Sequence, residues 1–166
     1  ALLTFDIAAG GTPTLWRDVT PAPTRTTVRW TVDGRAVEGD LYTPGGRVRA
    51  ALVLVPGAAA LGREEKHLVA LAQSLARAGF ATVVPELPAV RRLALSRADA
   101  DILADALRAL RRQSLAAVLG VVAISYGVGP AVIATLEPDV NGTVDFIVGI
   151  GGYHNAREGN PFNHPG

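Results

Sequence analysis

The sequence predicts an α/β fold: a mostly parallel, doubly wound sheet that follows an N-terminal antiparallel hairpin. A stretch of alternating apolar and polar residues around an Asp-Gly pair comes first and indicates the hairpin. Short apolar runs, typical of covered parallel strands, then alternate with segments of helical period. The chain has 166 residues, which is enough for one domain with a substantial core.

The composition excludes several classes of protein. With 49% hydrophobic and 19% charged residues, neither a disordered chain nor a coiled coil is expected. Sixteen basic and 15 acidic residues leave a net charge of +1, which gives no electrostatic reason to expect a nucleic-acid partner. The absence of cysteine excludes disulfides, thiolate metal sites and a cysteine nucleophile. No apolar stretch reaches the roughly 18 residues of a membrane helix, so we expect no membrane span in this chain.

We interpret residues 1–25 as an irregular N-terminal arm and residues 26–166 as the α/β domain. The opening "ALLTFDIAAGG" lacks the basic start and the cleavage pattern of a signal peptide. It is consistent either with a packed arm or with the tail of a signal or anchor that has been removed. The compartment therefore stays open between the cytoplasm and export or membrane anchoring.

The first half of the domain contains a hairpin, two buried strands and a helix. "TVRWTVDGRAVEGDLYTP" alternates, and Asp33-Gly34 is its turn. "ALVLVPG" is a continuous apolar run that ends at Pro56-Gly57. Apolar residues of helical period extend from Arg63 to Ala78, and Gly79 occupies the C-terminal cap position. "FATVVPELP" is the next strand.

The second half continues the alternation. Ser96 and Asp99 have the spacing of a capping box for a helix that extends to about Arg112. "LGVVAIS" is a buried strand, and a short helix follows over residues 128–136. "VDFIVGIGG" is predicted as the final, buried strand, the sixth, and the chain stops soon after it. We expect the fold to be truncated at this point.

The loop after the first buried strand, "ALVLVPG", has the spacing of a phosphate loop, but its residue types contradict one. "GAAALGRE", residues 57–64, fits G-x-x-x-x-G between a strand and a helix. A phosphate loop needs Lys and then Ser or Thr at the next two positions, where this chain has Arg63 and Glu64. Because a carboxylate at a helix N-terminus repels phosphate, we exclude a nucleotide site here.

The stretch "VVAISYGVGP", residues 121–130, holds the strongest candidate for chemistry. Its glycines match only the start of a dinucleotide fingerprint, because the third small position is Val132. The same stretch contains Ala123-x-Ser125-x-Gly127, one residue away from the G-x-S-x-G nucleophile elbow. Small residues on either side of the serine allow a strand to turn sharply into a helix, with the hydroxyl held above the sheet. The alternative is a serine that only caps the following helix.

The order of these segments, over about residues 26–155, resembles the N-terminal two-thirds of an α/β-hydrolase. It is most similar to the dienelactone hydrolase-like and prolyl oligopeptidase-like branches, in which Ser-Tyr-Gly is common at the elbow. The resemblance implies that Ser125 is the nucleophile for an ester or related small-molecule acyl substrate. It also implies an oxyanion hole formed by the backbone N–H of Tyr126 and that of Gly57 or Ala58. No metal or organic cofactor is implied.

The usual acid and base are missing, because the family places them after the serine on later loops. Asp145 opens the last strand at the end away from Ser125, and Glu137 and Asp139 end the elbow helix on the same far side. The remaining polar residues follow the last strand at the correct edge of the sheet; they are Glu158 and His164, as an improvised acid–base pair, and His154. The alternative is that these three are ordinary polar loop residues. His67, on the first long helix, has no evident partner.

The sequence therefore predicts the nucleophile and oxyanion half of a serine hydrolase. Three explanations are open for the missing half: a C-terminal segment absent from this sequence, a second chain that completes the sheet as in a homodimer, or a short and catalytically weak relative. The rival function is a non-catalytic domain that binds a ligand or a protein partner in the same crevice. An arginine- and alanine-rich composition without Cys or Met suggests a bacterial source.

Overall fold

The computed structural model describes residues 18–151, which form a six-stranded mixed sheet with helices on both faces. The predicted α/β fold is confirmed. The spatial order of the strands is β1-β2-β4-β3-β5-β6; all neighbours from β4 to β6 are parallel, and β2 is antiparallel to both of its neighbours. The strands are β1 (Thr24–Val32), β2 (Arg35–Thr43), β3 (Ala50–Val55), β4 (Phe80–Pro85), β5 (Leu119–Ile124) and β6 (Phe146–Ile150).

Within residues 18–151, three α-helices cover the sheet: α1 (Lys66–Arg77), α2 (Arg97–Gln113) and α3 (Val128–Thr135). The larger apolar core joins one face of the sheet to α2 and α3, and a smaller core joins the other face to α1. Strand β3 is buried at all six positions because helices cover both of its faces, as its unbroken apolar sequence predicts. The carboxyl ends of β3 and β5 lie side by side, where chain connections diverge to opposite faces.

The predicted hairpin is confirmed. Asp33 and Gly34 both have positive φ angles, 48° and 75°, as a two-residue turn between antiparallel strands requires. Strand β1 starts at Thr24, earlier than the alternating stretch suggests, because pairing with β2 continues beyond the apolar pattern.

The predicted capping box at the start of α2 is wrong in one of its two parts. The Ser96 side chain accepts a hydrogen bond from the N–H of Ala98 at 3.2 Å and caps the helix as expected. Asp99, however, accepts hydrogen bonds from the N–H groups of Ala89 and Val90, at 3.0 and 2.8 Å, instead of turning back to the cap. Burial raises the pKa of Asp99, and these two bonds only partly offset that effect. The loop before α2 thus binds the Asp99 carboxylate, and the spacing of Ser96 and Asp99 alone does not predict that contact.

The prediction that the last strand is buried is also wrong for the residues that the structure describes. The side chains of Ile147, Val148 and Ile150 are 45%, 44% and 51% exposed. Within residues 18–151, β6 pairs with β5 along one edge and with no strand along the other. The apolar sequence indicates a strand suited to burial but does not supply the elements that cover it.

A buried carboxylate links the hairpin to the loop after β3. Asp40, on β2, is 0% exposed. It accepts hydrogen bonds from Arg25 at 2.6 Å, Arg63 at 2.7 Å and the Thr27 hydroxyl at 3.1 Å. Burial alone raises the pKa of Asp40, but the hydrogen bonds and charges of the two arginines outweigh burial and lower it. Asp40 is therefore ionised and paired at neutral pH.

We expect Asp40→Asn to destabilise the fold in a pH-dependent way. Because the pKa of Asp40 is lower in the folded than in the unfolded chain, its stabilisation is present above the unfolded value of about 4 and is lost as the pH falls through the folded value. Urea unfolding should show a loss of about 2 kcal/mol near neutral pH that shrinks below about pH 4. Asp139→Asn is the control, because Asp139 is 61% exposed beside Arg108 and solvent screens that pair. An equal loss of stability near neutral pH and below about pH 4 would contradict the conclusion that Asp40 is ionised and paired.

The turn after β5 requires glycine at position 127. A Cβ atom there would lie 2.3 Å from the carbonyl oxygen of Pro56 and 2.8 Å from Cγ1 of Val55, so the backbones of the two loops are in direct contact. At Gly129, on the same turn, an added Cβ would meet only Cδ2 of Leu95, at an ordinary 3.4 Å.

These two glycines form a matched pair for mutation. Gly127→Ala should lower the free energy of unfolding by about 2 to 3 kcal/mol, because main-chain atoms must move to admit the methyl group. Gly129→Ala should be neutral or stabilising by up to about 1 kcal/mol, since alanine favours the helix. Thermal and urea unfolding measure both values. Equal effects of the two substitutions would show that the contact is not tight.

Candidate active site

Ser125 lies directly after β5, in a sharp turn between strand and helix. Its φ angle is +48°, in the left-handed region that residues other than glycine rarely adopt. Residues 125–127 form a 3₁₀ turn that leads straight into α3. No side chain caps this turn or α3, so the structure does not support the alternative that Ser125 serves as a helix cap. Strained backbone at a strand–turn–helix junction is the geometry of a nucleophile elbow.

Ser125 lines a crevice between the end of β5, the loop after β3 and the start of α1. The crevice has a volume of about 390 Å³. Its polar wall includes Glu65, His67 and Ser125. The loop and the neighbouring elements complete the lining mainly with apolar groups, from Pro56, Gly57, Ala58, Ala59, Leu68, Leu71 and Ile124. The crevice thus combines a few polar residues with a mostly apolar lining, as many small-molecule sites do.

The predicted oxyanion residues occupy two sides of this turn. A Cβ atom on Gly57 would lie 3.3 Å from the carbonyl oxygen of Ile124 and 3.4 Å from Cβ of Ser125, so this part of the loop runs against the serine. Ala58 lines the same crevice. Tyr126 follows the serine in the chain, and its side chain packs against the larger core. The structure thus brings Gly57 and Ala58 together with Ser125, while their roles as donors stay a prediction.

Glu65 and His67 belong to the crevice, which the sequence did not indicate. The Glu65 side chain caps α1 by accepting a hydrogen bond from the N–H of Leu68 at 2.8 Å. Burial raises the pKa of Glu65, but hydrogen bonds from the backbone of His67 and Leu68 outweigh it and lower the value. His67 is exposed at the rim. Its spacing from Leu71, one helical turn later, was the available signal that both line one surface.

Asp145 lies away from the serine, as its position in the sequence predicted, whereas the placement of Glu137 and Asp139 on the far side stays a prediction. Asp145 accepts a hydrogen bond from the N–H of Leu119 at 2.7 Å, at the opposite end of β5. Glu137 pairs with Arg97, and Asp139 pairs with Arg108 at the surface.

The other three acid–base candidates, Glu158, His164 and His154, lie outside the described residues and stay predictions. Residues 18–151 contain no cluster of three or more side chains suited to holding a metal ion. No helix in this range is long and apolar enough to cross a membrane.

Comparison with known proteins identifies the fold. No protein-family model and no curated protein matches the chain, whereas many solved structures do. The dienelactone hydrolase of Anabaena variabilis is 24% identical, with a TM-score of 0.63 over 79% of this chain. The esterase Est22 is 11% identical, with a TM-score of 0.66 over 92% of this chain. Brefeldin A esterase, a bacterial homologue of human hormone-sensitive lipase, is 20% identical, with a TM-score of 0.63 over 87%.

The three proteins named above are longer than this chain. The chain spans 64% of the dienelactone hydrolase, 56% of Est22 and 47% of brefeldin A esterase. At these identities the likeness concerns the fold alone. The described part of the chain has the α/β-hydrolase fold, shared with dienelactone hydrolase-like proteins and esterases.

Proposed function

We propose that this chain carries the nucleophile and oxyanion half of a serine hydrolase that acts on an ester or related acyl compound. One observation carries the proposal: Ser125 adopts a left-handed conformation directly after β5 and lines a crevice with Gly57 and Ala58. The similarity to structures named as esterases and a dienelactone hydrolase supports the same reaction class. Fold alone does not assign an activity, so the proposal depends on the local geometry of the serine.

The reaction follows from the positions of these groups. Oγ of Ser125 attacks the acyl carbon while a general base takes its proton, and the carbonyl oxygen gains the negative charge. The N–H of Tyr126 and that of Gly57 or Ala58 donate hydrogen bonds to this oxyanion. When the intermediate collapses, the base returns the proton to the leaving alcohol. Water then attacks the acyl-serine by the same route and releases the acid.

The described residues offer few candidates for the general base. His67 is the one histidine within residues 18–151, and it lies at the exposed rim of the crevice. We assign the proton to a histidine outside this sequence. The alternatives within the sequence are the pair of Glu158 and His164, and His154. The lack of an evident base within residues 18–151 is equally consistent with the rival function, a non-catalytic binding domain.

A fluorophosphonate probe tests the nucleophile on the natural full-length polypeptide, verified by its intact mass. We expect labelling at Ser125, located by peptide mass spectrometry, and ester hydrolysis that falls by up to about 10⁶-fold in Ser125→Ala. Ser114→Ala is the matched control, because Ser114 also has a positive φ angle, 50°, but ends α2 at the surface. This control should label like the wild type.

Two results would contradict the hydrolase. One is a folded full-length protein whose Ser125 reacts no faster than it does after denaturation. The other is labelling that persists in Ser125→Ala. In either case, saturable binding of a small ligand to the unlabelled protein would favour the non-catalytic alternative.

A further inference from the structure

The segment between β3 and α1, residues 56–65, carries Gly57 and Ala58, and we call it the β3–α1 loop. Oxyanion donors act over a narrow range of distance, about 2.7–3.1 Å from the developing charge. A displacement of about 1 Å in a positioned group can lower a rate by about 100-fold. The rate of the proposed reaction therefore depends on what holds this loop in place.

Bonds within the loop order mainly its second half. The N–H of Gly62 donates to the carbonyl of Ala59 at 2.9 Å, and the N–H of Glu65 donates to the carbonyl of Gly62 at 3.1 Å. Gly62 has a φ angle of +51°, and an added Cβ would lie 2.9 Å from the Glu86 carboxylate and 2.8 Å from Cδ of Arg91. The loop thus closes tightly against side chains that follow β4.

Two arginines attach the loop to its surroundings, one to β2 and one to the segment that follows β4. Arg63, within the loop, donates from Nη1 to Asp40 at 2.7 Å and from Nη2 to Glu38 at 3.1 Å, both on β2. Arg91 donates from Nη2 to the carbonyl of Ala60 at 2.9 Å and from Nη1 to Glu86 at 2.8 Å. A planar guanidinium that bridges two acceptors has a defined orientation, which a single flexible contact would not give.

The Arg63 attachment is largely shielded from water. The side chains of Arg63 and Asp40 are 15% and 1% exposed. Arg25 reinforces the pair, since it donates both to Asp40 at 2.6 Å and to Glu64, the next loop residue, at 2.7 Å. Solvent and salt therefore screen this ion pair less than a surface pair, and it resists displacement of the loop.

We propose that the Asp40–Arg63 ion pair is a positioning element for the oxyanion hole. It acts through the β3–α1 loop by keeping the N–H of Gly57 or Ala58 at the correct distance from the carbonyl oxygen that Ser125 attacks. Neither residue lines the crevice, so neither is a catalytic residue. This inference rests on the proposed function and adds to it two residues on elements distant in sequence from the serine.

The test is steady-state hydrolysis of an aryl ester by the natural full-length polypeptide and its variants. Arg63→Gln should lower kcat by about 10- to 100-fold and change KM by less than about threefold, because the lost interaction is made with the transition state. Arg63→Lys keeps the charge but has no planar guanidinium, so its kcat should lie between those of the wild type and Arg63→Gln. Arg29→Gln is the matched control: Arg29 contacts the same Glu38 at 2.6 Å but is 72% exposed and does not touch the loop. Its kinetics should equal those of the wild type.

A second readout separates positioning from a general loss of folded protein. The thiono analogue of the ester develops its charge on sulfur, which is larger and a weaker hydrogen-bond acceptor than oxygen, so a well-placed oxyanion hole favours the oxygen ester. In Arg63→Gln this preference should decrease by about tenfold or more. A smaller folded fraction would lower both rates equally and leave the ratio unchanged.

The outcomes distinguish the inference from the function on which it rests. A wild-type protein that neither labels nor hydrolyses esters overturns the proposed function and the positioning role together. An active wild type with an unchanged kcat and an unchanged oxygen-to-sulfur ratio in Arg63→Gln overturns the positioning role alone. If Arg63→Gln does not unfold cooperatively in urea, the same ratio measured in Arg63→Lys decides.

Discussion

The backbones that leave β3 and β5 touch each other, and the geometry of the site depends on that contact. The two strands are parallel neighbours whose ends pair at Val55 and Ala123, so the loops that follow emerge side by side. Gly127 admits the carbonyl of Pro56, and Gly57 fits against the carbonyl of Ile124. The contact at Gly127 leaves no room for a Cβ atom, whereas the one at Gly57 is close to ordinary van der Waals distance. The turn with the serine and the loop with the proposed donors therefore form one packed unit.

This unit is supported from a direction that the chain order does not suggest. The hairpin of β1 and β2 lies at one end of the sheet, with β4 and β3 between it and β5. Its buried carboxylate, Asp40, nevertheless reaches the β3–α1 loop through Arg63. A buried charge of this kind is tolerated only when it is paired, so the requirement to satisfy Asp40 also constrains the loop. The β1–β2 hairpin, at one edge of the sheet, thus helps to hold the loop that lines the crevice.

The elements that the sequence predicted correctly are those whose pattern is complete within a few neighbouring residues. Strands β3 and β5, the turn at Asp33-Gly34 and the sharp turn at Ser125 all belong to this group. Asp99 was assigned to the wrong partner because the amides it binds belong to a preceding loop. The Asp40 network was missed for a similar reason. One signal was available, since Asp40 lies two residues before the buried Tyr42 and so faces the same side of β2.

Strand β6 lies next to the turn that carries Ser125 and has an exposed apolar surface. Ile150 pairs with Ile124, the residue directly before Ser125, so β6 runs up to the serine on the side opposite the β3–α1 loop. Val122 and Ile124 on β5 share a sheet face with Val148 and Ile150 on β6, and these side chains form a continuous apolar row that is partly or largely exposed. In the proposed hydrolase, a base on the β6 side of Ser125 would not compete for space with the β3–α1 loop. Polypeptide that covered this row would also lie beside Ser125, so under the proposed function one segment would both bury β6 and reach the position of the base.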